Sequence, residues 1–195
     1  MVKIIVEVTV IKLHLGCGKR DFGEEWIHVD GAAFSHVKYH DLWNLPVDDS
    51  SVDLIYSSHC LEYFDAASVE DLLEKWIVKL KVGGVLRLAV PDFESIVTAY
   101  KKMECGFFRT YRMEDFVGIL YGKWLMGDEQ IYHKTVYDFD SLSRLLTKKG
   151  IIDVRRYDWR KVEHGHIDDH SQAYLPHMDK ENGLLMSLNV EGVKK

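Results

Sequence analysis

The chain has 195 residues, of which 47% are hydrophobic and 29% charged, with a formal net charge of −6 when its ten histidines are neutral. That length and balance fit one globular unit with a substantial core, and the acidic surplus argues against a general nucleic-acid binder, which carries a basic excess. No apolar run approaches a membrane span, and three widely spaced cysteines, Cys17, Cys60 and Cys105, suit a reduced cytoplasmic protein better than a disulfide framework.

Met1 to Ile11 is apolar but interrupted by Lys3, Glu7 and Thr9, and reads as an extended lead-in, not a signal peptide. Residues 12–16 form the first predicted strand. The Gly16-Cys-Gly18 turn follows, where the missing Cβ atoms permit a tight turn and close approach of a ligand. Trp26 to Asp30 is the second strand, and an acid at that place can accept hydrogen bonds from a ribose diol. Only seven residues lie between Gly18 and Trp26, too few for the helix that usually follows a glycine turn. A phosphate site at a helix N-terminus is therefore not available, which points to a nucleoside ligand without phosphates.

Val37 to Asp41 is read as a third short strand, also ending in an acid, and Val52 to Ser58 as a fourth, with His59 directly behind it. Ser68-Val-Glu-Asp71 looks like a capping box. Leu72, Leu73, Trp76, Ile77 and Leu80 then recur at helical spacing until Gly83-Gly84. Val85 to Val90 is a fifth strand and Phe93 to Met103 a helix. Glu104 to Lys134 is aromatic and irregular, and is expected to form helical pieces of a cover. Asp140 to Lys149 is a helix ended by Gly150, Ile151 to Trp159 a sixth strand and Leu184 to Glu191 a seventh. There is no repeat or clear linker, so the expectation is a single α/β domain: a cofactor-binding half over 12–100, the cover over 104–134, and C-terminal strands with a polar loop over 140–195.

The ordered motifs Leu15-Gly-Cys-Gly18, Trp26-Ile-His-Val-Asp30, Leu45-Pro-Val-Asp-Asp-Ser-Ser-Val-Asp-Leu-Ile-Tyr56, Leu61-Glu-Tyr63, Leu80 to Asp92 and His133-Lys134 resemble the class I S-adenosylmethionine-dependent methyltransferases. The resemblance is to their small branch with a Leu-Gly-Cys-Gly first motif, and covers roughly residues 12 to 157. It implies a Rossmann-like sheet of seven mostly parallel strands, the last antiparallel, with S-adenosyl-L-methionine as cofactor. It places Gly16, Cys17, Gly18 and Gly31 beside the methionine and ribose of that cofactor, Asp30 on the ribose hydroxyls, Asp41 by the adenine amino group and Leu42 against the ring. Ser57, Ser58 and His59 would lie nearest the transferred methyl. One departure concerns the methionine end: Lys19 or Arg20 stands where the glycine motif has its third small residue.

His59 suits a base near neutrality at a strand's carboxyl edge, or a structural histidine capping the next turn. His133 lies over the pocket by the resemblance, or at the surface. Glu62 can orient His59, or serve as a helix-start carboxylate. The loop from His164 to His177 leaves the sixth strand on the ligand edge and is read as the acceptor side, with Asp169, His170, Gln172, Tyr174 and His177 as its members. A metal there, direct acceptor contact and a solvated connection remain open, and no metal ligand is assigned. Cys17 is read as a packing residue. Tyr157 and Lys161 have a dehydrogenase-like spacing that a strand cannot use. Phe107, Phe108, Tyr111, Tyr121 and Trp124 are read as core before substrate wall.

The resulting expectation is methyl transfer to a small or sugar-like acceptor by a cytoplasmic enzyme with no nucleic-acid or membrane partner, with a homodimer as one open assembly. The alternatives are a non-catalytic partner or regulatory subunit on the same fold and, less favoured, a nicotinamide-dependent oxidoreductase.

Overall fold

The computed structural model describes residues 9–104, 113–126 and 128–195. The apolar runs at the start of the chain become short parallel strands. β1 (Lys12–Leu15) lies between β2 (Trp26–Val29) and β3 (Val52–Ser58), in register from Lys12 opposite Trp26 and Leu54. The glycine segment between β1 and β2 contains turns and no helix, as its length requires. Helix α1 (Ala66–Lys79) returns the chain to β4 (Leu80–Pro91), which pairs in parallel with β3.

Helices α2 (Phe93–Glu104) and α3 (Met113–Tyr121) precede a hairpin of β5 (Trp124–Met126) and β6 (Glu129–Ile131). Helix α4 (Phe139–Lys148) leads into β7 (Ile151–Arg156). β8 (Tyr174–Leu175) and β9 (Leu184–Leu185) pair with each other, and β10 (Ser187–Lys194) inserts between β4 and β7, antiparallel to both. The main sheet runs β2-β1-β3-β4-β10-β7.

The mostly parallel sheet with an antiparallel final strand is as expected, but six strands hydrogen-bond among the described residues where seven were anticipated. Val37 to Asp41 makes a single parallel bridge, Tyr39 to Val29. Only Val37 is buried there, and Lys38, Tyr39 and His40 are exposed, so no alternating apolar face holds a longer ladder. Helix α1 begins earlier than its apparent capping box. Asp65 is its N-cap, and Ser68 Oγ donates back to Asp65 O at 3.0 Å. The reciprocal box is on α4, where Asp138 accepts from Ser141 N at 2.7 Å and Asp138 N donates to Ser141 Oγ at 3.1 Å. Helix α1 also stops four residues before Gly83, because buried Leu80 already pairs with Val52.

The sixth strand ends at Arg156, since Asp158 caps a 3-10 turn over Trp159–Lys161. The predicted last strand is two strands, broken where Met186 N donates to Ala173 O. The cover holds the β5–β6 hairpin besides helix. Tyr121 is 60% exposed and Trp124 half-buried, so neither is core. Cys105, Phe107, Phe108 and Tyr111 lie outside the described residues.

The largest apolar cluster lies between α1, α4 and the sheet. Val69, Leu72, Leu73, Trp76 and Ile77 point from α1 onto Leu13, Leu15, Ile55, Leu86 and Leu88, and Leu142 and Leu146 of α4 join them. Trp76 is fully buried, and its indole N–H donates to Leu42 O at 2.8 Å, so the helix also fixes the loop after Asp41. Trp76→Phe keeps most of the apolar area but orphans that carbonyl. It is expected to destabilise the protein by about 1–3 kcal/mol, seen as a lower urea midpoint at unchanged slope; an unchanged midpoint would show that the loop does not depend on the indole.

Candidate active site

The carboxyl ends of β1, β2 and β3 and the segments that follow them open into one cavity of about 690 Å³. On its first wall, Gly16 N donates to Val29 O at 2.8 Å, binding the exit of β1 to β2. Gly16 has φ +65°, and a Cβ there would fall on the Cys60 side chain. Both facts demand glycine. Gly18 N donates to Asp30 Oδ2 and Ala32 N to Asp30 Oδ1, each at 2.8 Å. Asp30 is 8% exposed and lines the cavity with Gly16, Cys17, Gly18 and Gly31. Each carboxylate oxygen takes one backbone N–H and keeps acceptor capacity toward the cavity. An asparagine would turn an NH2 against one of those donors.

Leu42 and Phe64 provide apolar lining nearby. Asp41 is exposed and is not among the cavity-lining residues. Its Oδ1 accepts from Trp43 N at 2.7 Å and Asn44 N at 3.2 Å, and its Oδ2 from the Asn44 side chain at 2.7 Å. Those bonds, the Asn44 side chain first, hold its carboxyl below the usual range. Asp41 therefore builds the turn that presents Leu42. Cys17 is buried, and burial pushes its thiol up to about 12, with Asp30 adding to the shift. It packs and is no nucleophile at neutral pH.

At the end of β3, the hydroxyls of Ser57 and Ser58 are buried without a hydrogen-bond partner in the protein, and Ser58 lines the cavity. His59 follows in the left-handed region, φ +50°, which turns its ring back beneath the cavity. Its Nε2 is 3.0 Å from Ser187 Oγ and its Nδ1 3.5 Å from Glu62 Oε1. Glu62 is fully buried, and desolvation lifts its carboxyl to about 8. His133 comes over from the cover, with Nδ1 3.1 Å from Leu120 O and Nε2 3.7 Å from the same Glu62 oxygen. Burial lowers the pKa of both histidines. The structure thus brings His59, Glu62 and His133 together, but with their nitrogens turned toward protein groups.

The loop from His164 to His177 does reach this edge. Asp169 is buried and accepts from Tyr56 OH at 2.6 Å and Ser171 N at 2.8 Å. His170 is exposed to the cavity, its ring centroid 5.3 Å from that of His59, and its ring nitrogens make no hydrogen bond among the described residues. Burial, then Arg20, lowers its pKa. Tyr174 and His177 also line the cavity. Gln172 does not: its amide is spent inside the loop on Gly165 O and Ile167 O, and its oxygen on Lys180. Among the described residues no three His, Cys, Asp or Glu groups are placed to hold a metal ion. Tyr157 is half-buried beside Arg87, while the Lys161 ammonium reaches only Asp158, so this pair does not assemble.

One feature escaped the sequence reading. Phe22 is stacked between His14 and His164, at centroid distances of 4.0 and 4.9 Å, and Tyr56 lies 4.0 Å from His164. This aromatic layer lies on the sheet face opposite Leu13 and Leu15. Strand alternation puts His14 there, but nothing local shows that a loop 150 residues later covers it. Arg20, Lys123 and Met126 are further lining residues that no motif indicated.

A family model described as a methyltransferase domain matches residues 21–88. No curated protein matches this chain detectably. Solved structures with the same fold include a putative S-adenosylmethionine-dependent methyltransferase from Listeria monocytogenes, 20% identical, TM-score 0.52, aligned over 96% of this chain and 90% of that one. A second, from Archaeoglobus fulgidus, is 16% identical with TM-score 0.54 over 95% and 86%. A third, the 1,6-didemethyltoxoflavin N1-methyltransferase of Burkholderia thailandensis with S-adenosylhomocysteine bound, is 11% identical with TM-score 0.54 over 95% and 71%. At such identities the likeness is one of fold. The family model covers about a third of the chain, and these structures show that its fold is the one that S-adenosylmethionine-dependent methyltransferases have.

The buried imidazole of His164, held down to about 3 by burial and then Arg87, sets an acid limit. Its folded pKa lies below the unfolded 6.5, so the unfolded chain binds more protons in between and stability falls with acidification, by up to ~1.4 kcal/mol per pH unit. His164→Phe should flatten the wild-type decline below pH 6.5 in denaturant titrations; parallel curves would rule His164 out as its source.

Proposed function

We propose that this protein transfers a methyl group from S-adenosylmethionine to a small polar acceptor. The observation that carries the reading is the Asp30 carboxylate, anchored on Gly18 and Ala32 N–H groups with lone pairs left toward the cavity. That arrangement fits a vicinal diol, the glycine turn fits an extended chain laid close to backbone, and the unpaired Ser58 hydroxyl offers a polar contact at the end of β3. When bound, the cofactor supplies a sulfonium methyl open to displacement by an acceptor lone pair, and the protein's part is orientation and a shaped, dry site.

The acceptor space lies among Tyr63, His133, His170, Tyr174 and His177. Of the histidines first considered, His170 is the one with ring nitrogens open to that space, and its lowered pKa keeps it neutral and able to accept a proton near pH 7. His59, whose ring centroid is 5.3 Å from that of His170, and His133 line the same space. The mix of aromatic rings and hydrogen-bonding groups suits a small molecule, sugar-like acceptors among them. A non-catalytic role would retain the sheet, but the glycine turn joined to Asp30 and the space beyond it favour the enzyme.

Calorimetry with S-adenosylmethionine and its demethylated product tests this. Binding by the wild type and a loss of about 10- to 100-fold in Asp30→Ala are expected, since hydrogen bonds to a charged group contribute ~1.5–3 kcal/mol. Absence of binding by folded wild-type protein would sink the proposal.

A further inference from the structure

The hydrogen-bond chain behind the cavity floor fixes where protons lie. Asn189 Nδ2 donates to Ser171 O at 2.9 Å, so its oxygen must face Ser187. Ser187 Oγ donates to that oxygen at 2.9 Å and has no second hydrogen. His59 Nε2, 3.0 Å from Ser187 Oγ, is therefore the protonated nitrogen, which leaves a lone pair on Nδ1 aimed at Glu62 Oε1. On the other side, His133 donates from Nδ1 to Leu120 O, which leaves a lone pair on Nε2 aimed at the same oxygen. A carboxylate facing two lone pairs is repelled by both, whereas a carboxylic acid carries no charge and can turn its one hydrogen toward either of them.

We infer that Glu62 is a positioning residue held as the neutral acid, its carboxyl facing His59 Nδ1 and His133 Nε2. The separations would also suit an ion pair, but Glu62 is wholly buried and both of its oxygens lack a conventional hydrogen bond. Among the described residues, the other titratable groups around it offer no charge to hold a carboxylate. Cys60 and Tyr63 flank it on its own segment, Tyr137 packs from beyond the cover, and His170 lies past His59. The Lys134 ammonium turns outward to Asp65. The desolvation that lifts the Glu62 carboxyl agrees with the neutral form.

The buried carboxyl lies where two separate parts of the site meet. His59 belongs to the edge of β3, His133 to the cover, and the Glu62 carbonyl also accepts from Lys134 N at 2.7 Å and Thr135 N at 3.2 Å. Glu62 thus sets the tautomers of both floor histidines and clamps the cover to the sheet, independently of which acceptor is methylated.

The test compares wild type, Glu62→Gln and Glu62→Leu. Glutamine supplies amide hydrogens to the same lone pairs, so Glu62→Gln should match the wild-type melting midpoint near pH 4.5, exceed it at pH 7, and keep the same histidine tautomers by 15N NMR. Glu62→Leu should lose both. The wild type should also lose stability as pH rises from 4.5 to about 8, because the folded acid keeps a proton that the unfolded one releases. Glu62→Gln should lack that component. If Glu62→Leu does not fold, 13C NMR of the wild-type carboxyl decides: a protonated resonance at pH 7 supports the inference. An ionised resonance, or a Glu62→Gln variant as impaired as Glu62→Leu, overturns it.

Discussion

The site depends on a carboxylate that serves its own backbone first. Asp30 accepts Gly18 N–H on one oxygen and Ala32 N–H on the other, and so fixes the turn after β1 and the exit of β2 relative to each other. Without it, the two strand ends would present unpaired donors to a half-dry cavity, at a cost of about 1–3 kcal/mol for each buried orphan. Gly16, pressed against Cys60, closes the third side. A carboxylate is required because both oxygens must accept. Structural and ligand-binding demands therefore select the same residue, and any change at Asp30 affects folding of the turn along with binding.

Polarity is distributed unusually around this point. Beneath the cavity lie several histidines, among them His14, His59 and His164, all kept neutral by burial. A neutral imidazole packs like an aromatic ring and still has one donor and one acceptor. His14 and His164 use the ring, stacked on Phe22 with Tyr56 tilted beside them; His59 and His133 use the nitrogens, turned toward Ser187, Glu62 and Leu120. The high histidine count thus reflects internal construction more than surface charge or metal chemistry.

Much of the fold could be read from local signals. The spacing between Gly18 and Trp26 excluded a helix, the repeat of Leu72, Leu73, Trp76 and Ile77 located α1, and the order of strands and acids indicated the fold. What local signals could not supply was partner choice at a distance. The Val37 segment has strand-like residues but no buried face to pair with, and became one bridge. Ser68 and Asp71 match a capping pattern, yet Asp65 lay three residues earlier and took the role. Asp41 and Gln172 are polar residues near the expected site whose side chains are spent on their own loops. For His59 and Glu62, sequence spacing indicated contact, but their protonation follows from Ser187 and Asn189, more than 120 residues later.

Those last two residues stand on β10, which fills the gap between β4 and β7. Until residues 187–194 arrive, β4 has an unpaired edge and β7 has no neighbour in the sheet. The pairing of Ser187 with Pro91 closes a loop of nearly one hundred residues, a contact order that slows folding. The open edge in the meantime is a template for the wrong strand. Because Ser187 also orients His59, the moment that seals the sheet is the moment that sets the floor of the cavity. A chain interrupted before β10 would have its glycine turn and Asp30 in place but no ordered acceptor side, so completion of the sheet acts as a checkpoint on the site.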